Sequence, residues 1–295
     1  MSDGVFEPSR QQTEKRKHFI LAFTEDLIFV ARLEDAARAL GFDVLVVDRP
    51  HVLGVEGDPA VRTTPLTEPL VGPDAVLVRR LVEQPPALIL VDLTLRSIPW
   101  ARWIQVLKTS AATRRIPILA FGPHVEKEAF LQASDLGADR VLTRGRIHTS
   151  IVQILREWVR TPEYEALATA CKGELSGLAK EGLDHLNAGE YYDAHEFLER
   201  AWMESPEHEG YLYRALLQVS VAYLHIVREN YAGAIKMLLR VYQWLNPLPE
   251  TCRRIDVRAL RDHLQVVRIA LEGVGPDGLS RFDRGLLQPI PMCPE

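Results

Sequence analysis

The chain has little cysteine, no long apolar run and no marked excess of either charge. Its three cysteines, Cys171, Cys252 and Cys293, are scattered, odd in number and never in a Cys-x-x-Cys spacing. That pattern argues against a disulfide framework or a zinc ribbon and suits a reducing cytosol. No apolar stretch approaches 18 residues, so no membrane-spanning helix is expected. The first 17 residues are polar, with Gln11-Gln12-Thr13-Glu14-Lys15-Arg16-Lys17 and no signal-peptide core, and read as a flexible tail. Lys and Arg number 35 against 40 Asp and Glu, a net charge of −5, which gives no general drive toward nucleic acid or an anionic membrane. The expected setting is the cytoplasm. The expected partner is a protein or a small-molecule ligand, with no nucleic acid and no membrane.

What is present is enough for two domains. A chain of 295 residues, 47% hydrophobic and 25% charged, has room for two adequate cores. From His18 to about Arg160, short apolar runs alternate with amphipathic segments. Strands are expected at 18–23, 42–47, 87–91 (ending at Asp92), 116–121 and 140–142, and helices at 27–40, 73–82, 100–107, 126–136 and 149–159. The strand runs are continuous rather than alternating, which means burial on both faces and a parallel sheet between helix layers. The spacing predicts an α/β domain over 18–160 with a five-stranded doubly wound parallel sheet. A loop insertion at about 49–71 shows turns and no periodicity.

In such sheets the chemistry gathers where the strands end. Those ends hold Thr24, Glu25 and Asp26 after the first strand, Asp92 after the third, Gly122 after the fourth and Arg144 after the fifth. This layout resembles a response-regulator receiver domain. The resemblance puts Asp92, in Leu-Ile-Leu-Val-Asp-Leu, at the phosphoacceptor position and implies magnesium held by acidic residues after the first strand. Here the matching pair is Thr24-Glu25, with Asp26 one step on. The family's hydroxyl residue falls on Gly122, its lysine on Arg144 and the proline after it on Gly145. Arginine keeps the charge but not the compact ammonium. Two outcomes stay open: phosphorylation at Asp92, with magnesium at Glu25 and Asp26, or a receiver-shaped scaffold without that chemistry. His124 stands at the same edge, as a ligand contact or an exposed loop residue.

After Thr161-Pro162-Glu163 the pattern is helical throughout. Residues 161–174 read as a linker, 175–275 as an all-α bundle of about five helices (175–187, 192–203, 211–227, 231–245 and 256–271), and 276–295 as a Pro-rich tail. A shift of 40 places Asp184-His185-Leu186 on Leu224-His225-Ile226 and Tyr191-Tyr192-Asp193-Ala194 on Tyr231-Ala232-Gly233-Ala234. Two helical hairpins therefore share one plan. Gly182, Ala194, Ala201 and Pro206 resemble the tetratricopeptide pattern, although the period here is longer.

Within the repeat, His195 and Glu199 take the places of Ile235 and Leu239. Residues 195, 199 and 202 form one helical stripe, apolar in the second copy and His-Glu-Trp in the first. By analogy both ionisable residues are expected to face inward, where they need hydrogen bonds or a metal. The third helix offers Arg214, Gln218 and His225 on one face, and Asn230 follows it. The combination Asn187-x-Gly189, Ala194-His195-Glu196-x-x-Glu199-x-x-Trp202, Gln218, His225, Asn230 and Gly233-Ala234 resembles domain-of-unknown-function family 309, over about Leu175–Leu245. The resemblance implies a small helical bundle and no particular activity.

Three readings of this cluster remain. His195, Glu199, Gln218 and His225 form a mutually bonded polar core. Alternatively, Arg214 and Trp202 contact a small anion or peptide in a pocket. In the third, His195, Glu199 and His225 hold a transition metal, with Glu196 as base or supporting group. On the fifth helix Arg254, Arg258, Arg261 and Arg268, beside Val257, Leu260, Leu264, Val267 and Leu271, read as a solvated face or as a surface for an acidic partner. The expectation is a regulatory or adaptor protein with a degenerate receiver-like domain and a helical ligand- or protein-binding domain. A metal-dependent hydrolase centred on His195, Glu199 and His225 is the alternative.

Overall fold

The computed structural model describes residues 18–56 and 69–293. The stretch 1–17, read above as a tail, lies outside the described residues, as does the middle of the 49–71 segment. Five strands form a parallel sheet: β1 (Phe19–Phe23), β2 (Asp43–Val47), β3 (Leu88–Asp92), β4 (Ile118–Gly122) and β5 (Arg140–Thr143), in the order β2-β1-β3-β4-β5. The continuous apolar runs of β3 and β4 are buried throughout, as central strands must be, while β2 and β5 are partly exposed edges.

Successive side chains feed two separate cores. On one face Ile20, Ala22, Leu88, Leu90, Leu119 and Phe121 pack against helices α1 (Leu27–Ala39) and α5 (Arg144–Trp158). On the other, Leu21, Phe23, Ile89, Val91 and Ala120 meet α2 (Gly72–Glu83) and α3 (Trp100–Thr109), and α4 (Lys127–Asp135) flanks β4 and β5. This second cluster does not stop at α2 and α3. It continues without a break into the helical half.

The helical half holds α6 (Tyr164–Ala170), α7 (Gly177–Asn187), α8 (Tyr191–Met203), α9 (Gly210–Val227), α10 (Tyr231–Arg240), α11 (Tyr242–Leu245) and α12 (Val257–Val274). Helix α9 is apolar nearly all round and is accordingly buried along most of its length between α8 and α10. The 40-residue repeat is visible atom by atom at the two helix ends. In α7–α8, Glu190 N donates to His185 O (2.9 Å) and Gly189 N to Leu186 O (3.1 Å). In α9–α10, Asn230 N donates to His225 O (2.8 Å) and Glu229 N to Ile226 O (3.1 Å). Both are the paired closing bonds of a helix that ends in a left-handed residue. That residue is Gly189 (φ 82°) in the first copy and Glu229 (φ 55°) in the second.

Three stretches differ from expectation. The segment read as a linker contains α6. The segment read as a tail is packed: Leu279, Phe282 and Ile290 are buried, and Ile290 N donates to Asn187 Oδ1 at 2.9 Å. Between α11 and α12, where no strand pattern was expected, a short hairpin pairs β6 (Thr251–Cys252) with β7 (Ile255–Asp256). Its turn residues Arg253 (φ 48°) and Arg254 (φ 68°) are both left-handed, positions that normally favour Asn or Gly. Arg253 is held there by Ala170 O (3.0 Å), Glu174 O (2.8 Å), Tyr213 Oη (2.8 Å) and Glu209 (2.7 Å). The same contact brings Cys252 to Cys171, and the two form a disulfide, their Cα atoms 4.4 Å apart. The expected absence of disulfides is thus corrected. With the two cysteines 81 positions apart in sequence, their spacing carried no sign of the bond.

The two halves meet through charge as well as apolar packing. Arg268 of α12, 2% exposed, pairs with Glu83 at the end of α2 (2.9 Å) and with Glu272 (3.1 Å), which also pairs with Arg79 of α2 (3.1 Å). Asn246 Nδ2 donates to Val82 O at 2.9 Å. The solvated reading of the α12 arginines therefore fails at Arg268, which is buried because α2 covers it. It fails at Arg261 too, whose guanidinium donates to the carbonyls of Leu245 and Leu248.

Two outcomes follow for stability. Gly189→Ala should cost about 1 kcal/mol, whereas Glu229→Gly should be neutral or stabilising by up to about 1 kcal/mol, because only the second relieves a left-handed side chain. Arg268→Ala leaves Glu83 and Glu272 without their buried partner and should cost about 3 kcal/mol. Denaturant unfolding of each variant against the parent chain checks both.

Candidate functional site

The sheet reverses its strand order between β1 and β3, which opens a crevice at their carboxyl ends. Thr24 and Asp92 line it, 0% and 3% exposed. Helix α5 begins at Arg144, five residues before the expected start, with Thr143 as its cap. This early start sets Arg144 over the crevice. Its Nη2 lies 2.8 Å from both oxygens of Asp92 and 2.9 Å from Thr94 Oγ1, and its Nη1 lies 2.8 Å from Asp26 Oδ2.

Asp92 is fully engaged. Besides Arg144, its Oδ1 accepts from Thr94 N (3.0 Å) and Thr94 Oγ1 (2.7 Å), and its Oδ2 from Thr24 Oγ1 (3.3 Å). A carboxylate offers about four lone-pair directions, so none is left to spare. Asp26 has two duties: Oδ1 caps α1 through the amides of Ile28 and Phe29, both at 3.0 Å, and Oδ2 takes Arg144. Glu25 turns away and accepts from Ser97 Oγ at 2.8 Å. The expected residues Asp92, Asp26 and Arg144 thus come together, and Glu25 does not join them.

This donor set does not fit magnesium, which needs carboxylate oxygens free to bind it with several waters. Asp92 and Asp26 already share a cation, Arg144, and Glu25 points elsewhere. Gly122 supplies no hydroxyl, but Thr94, two residues after Asp92, partly fills that role by donating to Asp92 and accepting from Arg144. Sequence comparison with the receiver pattern overlooked Thr94 because its contact lies within the same loop. His124 is exposed.

In the helical half the expected metal site is not formed. The ligand atoms of His195, Glu199 and His225 do not gather within 4.8 Å of one another; the set that does so among the described residues is His185, Glu190 and Asp193, two of them exposed. The His225 ring is engaged elsewhere: it packs on Gly233, where a Cβ would come within 2.8 Å. His225 Nδ1 lies 3.1 Å from Asn230 Nδ2, and burial, then Arg228, pushes its pKa down. Asn230 caps α10 through Gly233 N at 2.9 Å. The equivalent pair one repeat earlier, His185 and Glu190, is joined at 2.5 Å. Both pairs are clamps on a helix turn. His195 and Glu199 are only partly buried, which corrects the inward-facing expectation, and Gln218 is buried with Oε1 unpartnered among the described residues.

Arg214 and Trp202 do meet. The Arg214 guanidinium lies 4.2 Å from the ring centre of Trp202 and 4.1 Å from that of Trp244. Trp244, on α11, was not anticipated; it stands one turn after Arg240 on the expected helix 231–245, but nothing local in the sequence shows that this turn faces Arg214.

The strand order β2-β1-β3-β4-β5 and the acid pocket at the ends of β1 and β3 define a receiver-like, flavodoxin-type α/β fold, followed by a bundle of helical hairpins. Within that bundle, residues 179–237 match the family described as Domain of unknown function (DUF309). Solved structures similar to the α/β half include a phosphorylated cyanobacterial phytochrome response regulator (16% identity, 48% of this chain and 94% of that one, TM-score 0.35). A receiver domain of a sensor histidine kinase from Pseudomonas aeruginosa, with magnesium in its active-site cleft, is 18% identical over 48% of this chain and 97% of its own, with a TM-score of 0.35. A receiver domain from Rhodospirillum rubrum is 20% identical over 49% and 97%, with a TM-score of 0.36. At these identities no chemistry carries over, and the strand order itself defines the fold. No curated protein matches the chain.

The Asp26 carboxyl is held below its ordinary pKa, first by the Phe29 amide and also by Arg144, against burial that raises it. A depressed folded-state value gives stability that is fully present above the unfolded value of about 3.9 and lost as pH falls through the folded one. Asp26→Ala should therefore cost about 1–2 kcal/mol at neutral pH, a gap that narrows below about pH 4. Urea unfolding across the acid range measures it.

Proposed function

We propose that this chain is a regulatory adaptor in which the α/β half, residues 18–160, is a receiver-derived scaffold whose acid pocket is filled from within. The helical half, from about 175 onward, is then the part that binds a ligand or a protein partner. The observation that carries this reading is Arg144, whose guanidinium bridges Asp92 and Asp26 where a receiver would need a free carboxylate and a metal. Phosphoryl transfer depends on an assembled electrostatic site, and here the Asp92 oxygens are already committed.

No helix among the described residues is long and apolar enough to cross a membrane. We take the cytoplasm as the working location from the composition. In that compartment the Cys171–Cys252 bond would be open to reduction by thiols, which makes its state in freshly lysed cells informative.

Incubation with a small-molecule phosphodonor and magnesium, read by intact mass, should leave the chain unmodified. An adduct that disappears on Asp92→Ala would overturn the reading. Arg144→Ala should cost about 3 kcal/mol, because it strips a nearly buried carboxylate of its counter-charge; a variant as stable as the parent in denaturant would argue against the internal plug.

A further inference from the structure

Where the two halves meet, four arginines come together without a carboxylate to answer them. Arg114 and Arg115 lie in the exposed loop after α3, Arg214 on α9 and Arg240 at the end of α10. Guanidinium and indole groups alternate through the cluster. Arg115 lies 4.8 Å from the ring centre of Trp244, Arg214 lies 4.1 Å from Trp244 and 4.2 Å from Trp202, and Tyr211 meets Trp244 edge-on at 5.2 Å. Stacking on indoles holds the Arg115 and Arg214 guanidinium groups by their faces and leaves their N–H edges free for an acceptor.

No acceptor among the described residues takes those edges. The side chains of Arg115, Arg214 and Arg240 have no protein hydrogen-bond partner or ion pair there. Arg240 Nε and Trp244 Nε1 are buried and unpartnered, and Trp244 is 4% exposed. Burial, then Arg115 and Arg240, lowers the pKa of Arg214, and burial, then Arg114 and Arg115, lowers that of Arg240. Glu163 and Glu207 act on Tyr211 but do not figure among the groups acting on either arginine. Glu163 is itself paired with His208 at 3.2 Å. By contrast Arg268, the arginine among the described residues that is fully buried, is neutralised by two glutamates.

We propose that Arg114, Arg115, Arg214 and Arg240, set around Trp202 and Trp244 at the junction of the two halves, bind a multiply charged phosphate-type oxyanion, free or carried on an organic phosphate. Planar guanidinium forks match phosphate oxygens, and several are needed to balance a pyrophosphate-like charge. Because the donors come from both halves, the anion would tie the α3–β4 loop to α9 and α10. This site does not depend on the acid pocket at Asp92, and either assignment can fail alone.

The test is thermal unfolding and calorimetric titration of the full chain with inorganic pyrophosphate, against sodium chloride at equal ionic strength. Saturable binding is expected, with a Tm rise of about 2–3 °C at ten times Kd, and at least a tenfold loss of affinity in Arg115→Gln and in Arg214→Gln. Arg115 is exposed, so its variant should fold even if Arg214→Gln does not. A parallel titration with a nucleoside diphosphate separates the sources: equal affinity means the oxyanion alone is read, and tighter binding means the phosphate is read on its organic carrier. No saturable binding, a rise matched by sodium chloride, or unchanged affinity in Arg115→Gln would overturn the proposal.

Discussion

A guanidinium taken out of water is costly unless its charge is answered, and Arg268 finds carboxylates on both sides of the junction. Its bonds to Glu83 of α2 and Glu272 of α12 fix how the last long helix seats on the α/β half, and Arg79 closes the network. The apolar cluster running from the sheet through α2 into the bundle gives burial without direction; the ion pairs supply the direction. The same rule recurs at Arg102 with Asp74, at Arg253 with Glu209, and at Arg144 with Asp26 and Asp92. Against that background, arginines left unanswered around Trp244 stand out.

The α/β half was largely legible from its residues. Continuous four- or five-residue apolar runs such as Leu-Ile-Leu-Val and Ile-Leu-Ala-Phe, bounded by turn residues, fit central parallel strands, and Asp92 and Arg144 fell at the strand ends that form the crevice. The direction of side chains was not legible. Glu25 and Asp26 are neighbours in sequence, yet one turns to Ser97 and the other caps α1 while gripping Arg144. Likewise Cys171 and Cys252 carry no local pattern, because the contact that joins them is made by Arg253 in a turn between them and α12.

The repeat comparison gave the right hairpins and a wrong inference about burial. Its second-copy stripe, Ile235 and Leu239, is apolar because it lines a cleft shared with Ala75, Val78 and Arg79 of α2, where a cavity of about 250 Å³ remains. In the first copy His195 is only partly buried where Ile235 is buried, and Glu199 is partly buried as Leu239 is, so polar side chains can be accommodated there. The difference between the copies therefore tracks what each hairpin is docked against, and it does not mark a reaction centre.

The disulfide has a topological meaning beyond the hairpin it holds. Cys171 and Cys252 close the chain into a ring that contains α7 through α11, including all of residues 179–237. A single protease cut anywhere inside that ring would leave one covalent molecule, with both halves still linked through sulfur. With the bond oxidised, such a nick would pass unnoticed on a non-reducing gel, and the fragments would separate only once thiol was added.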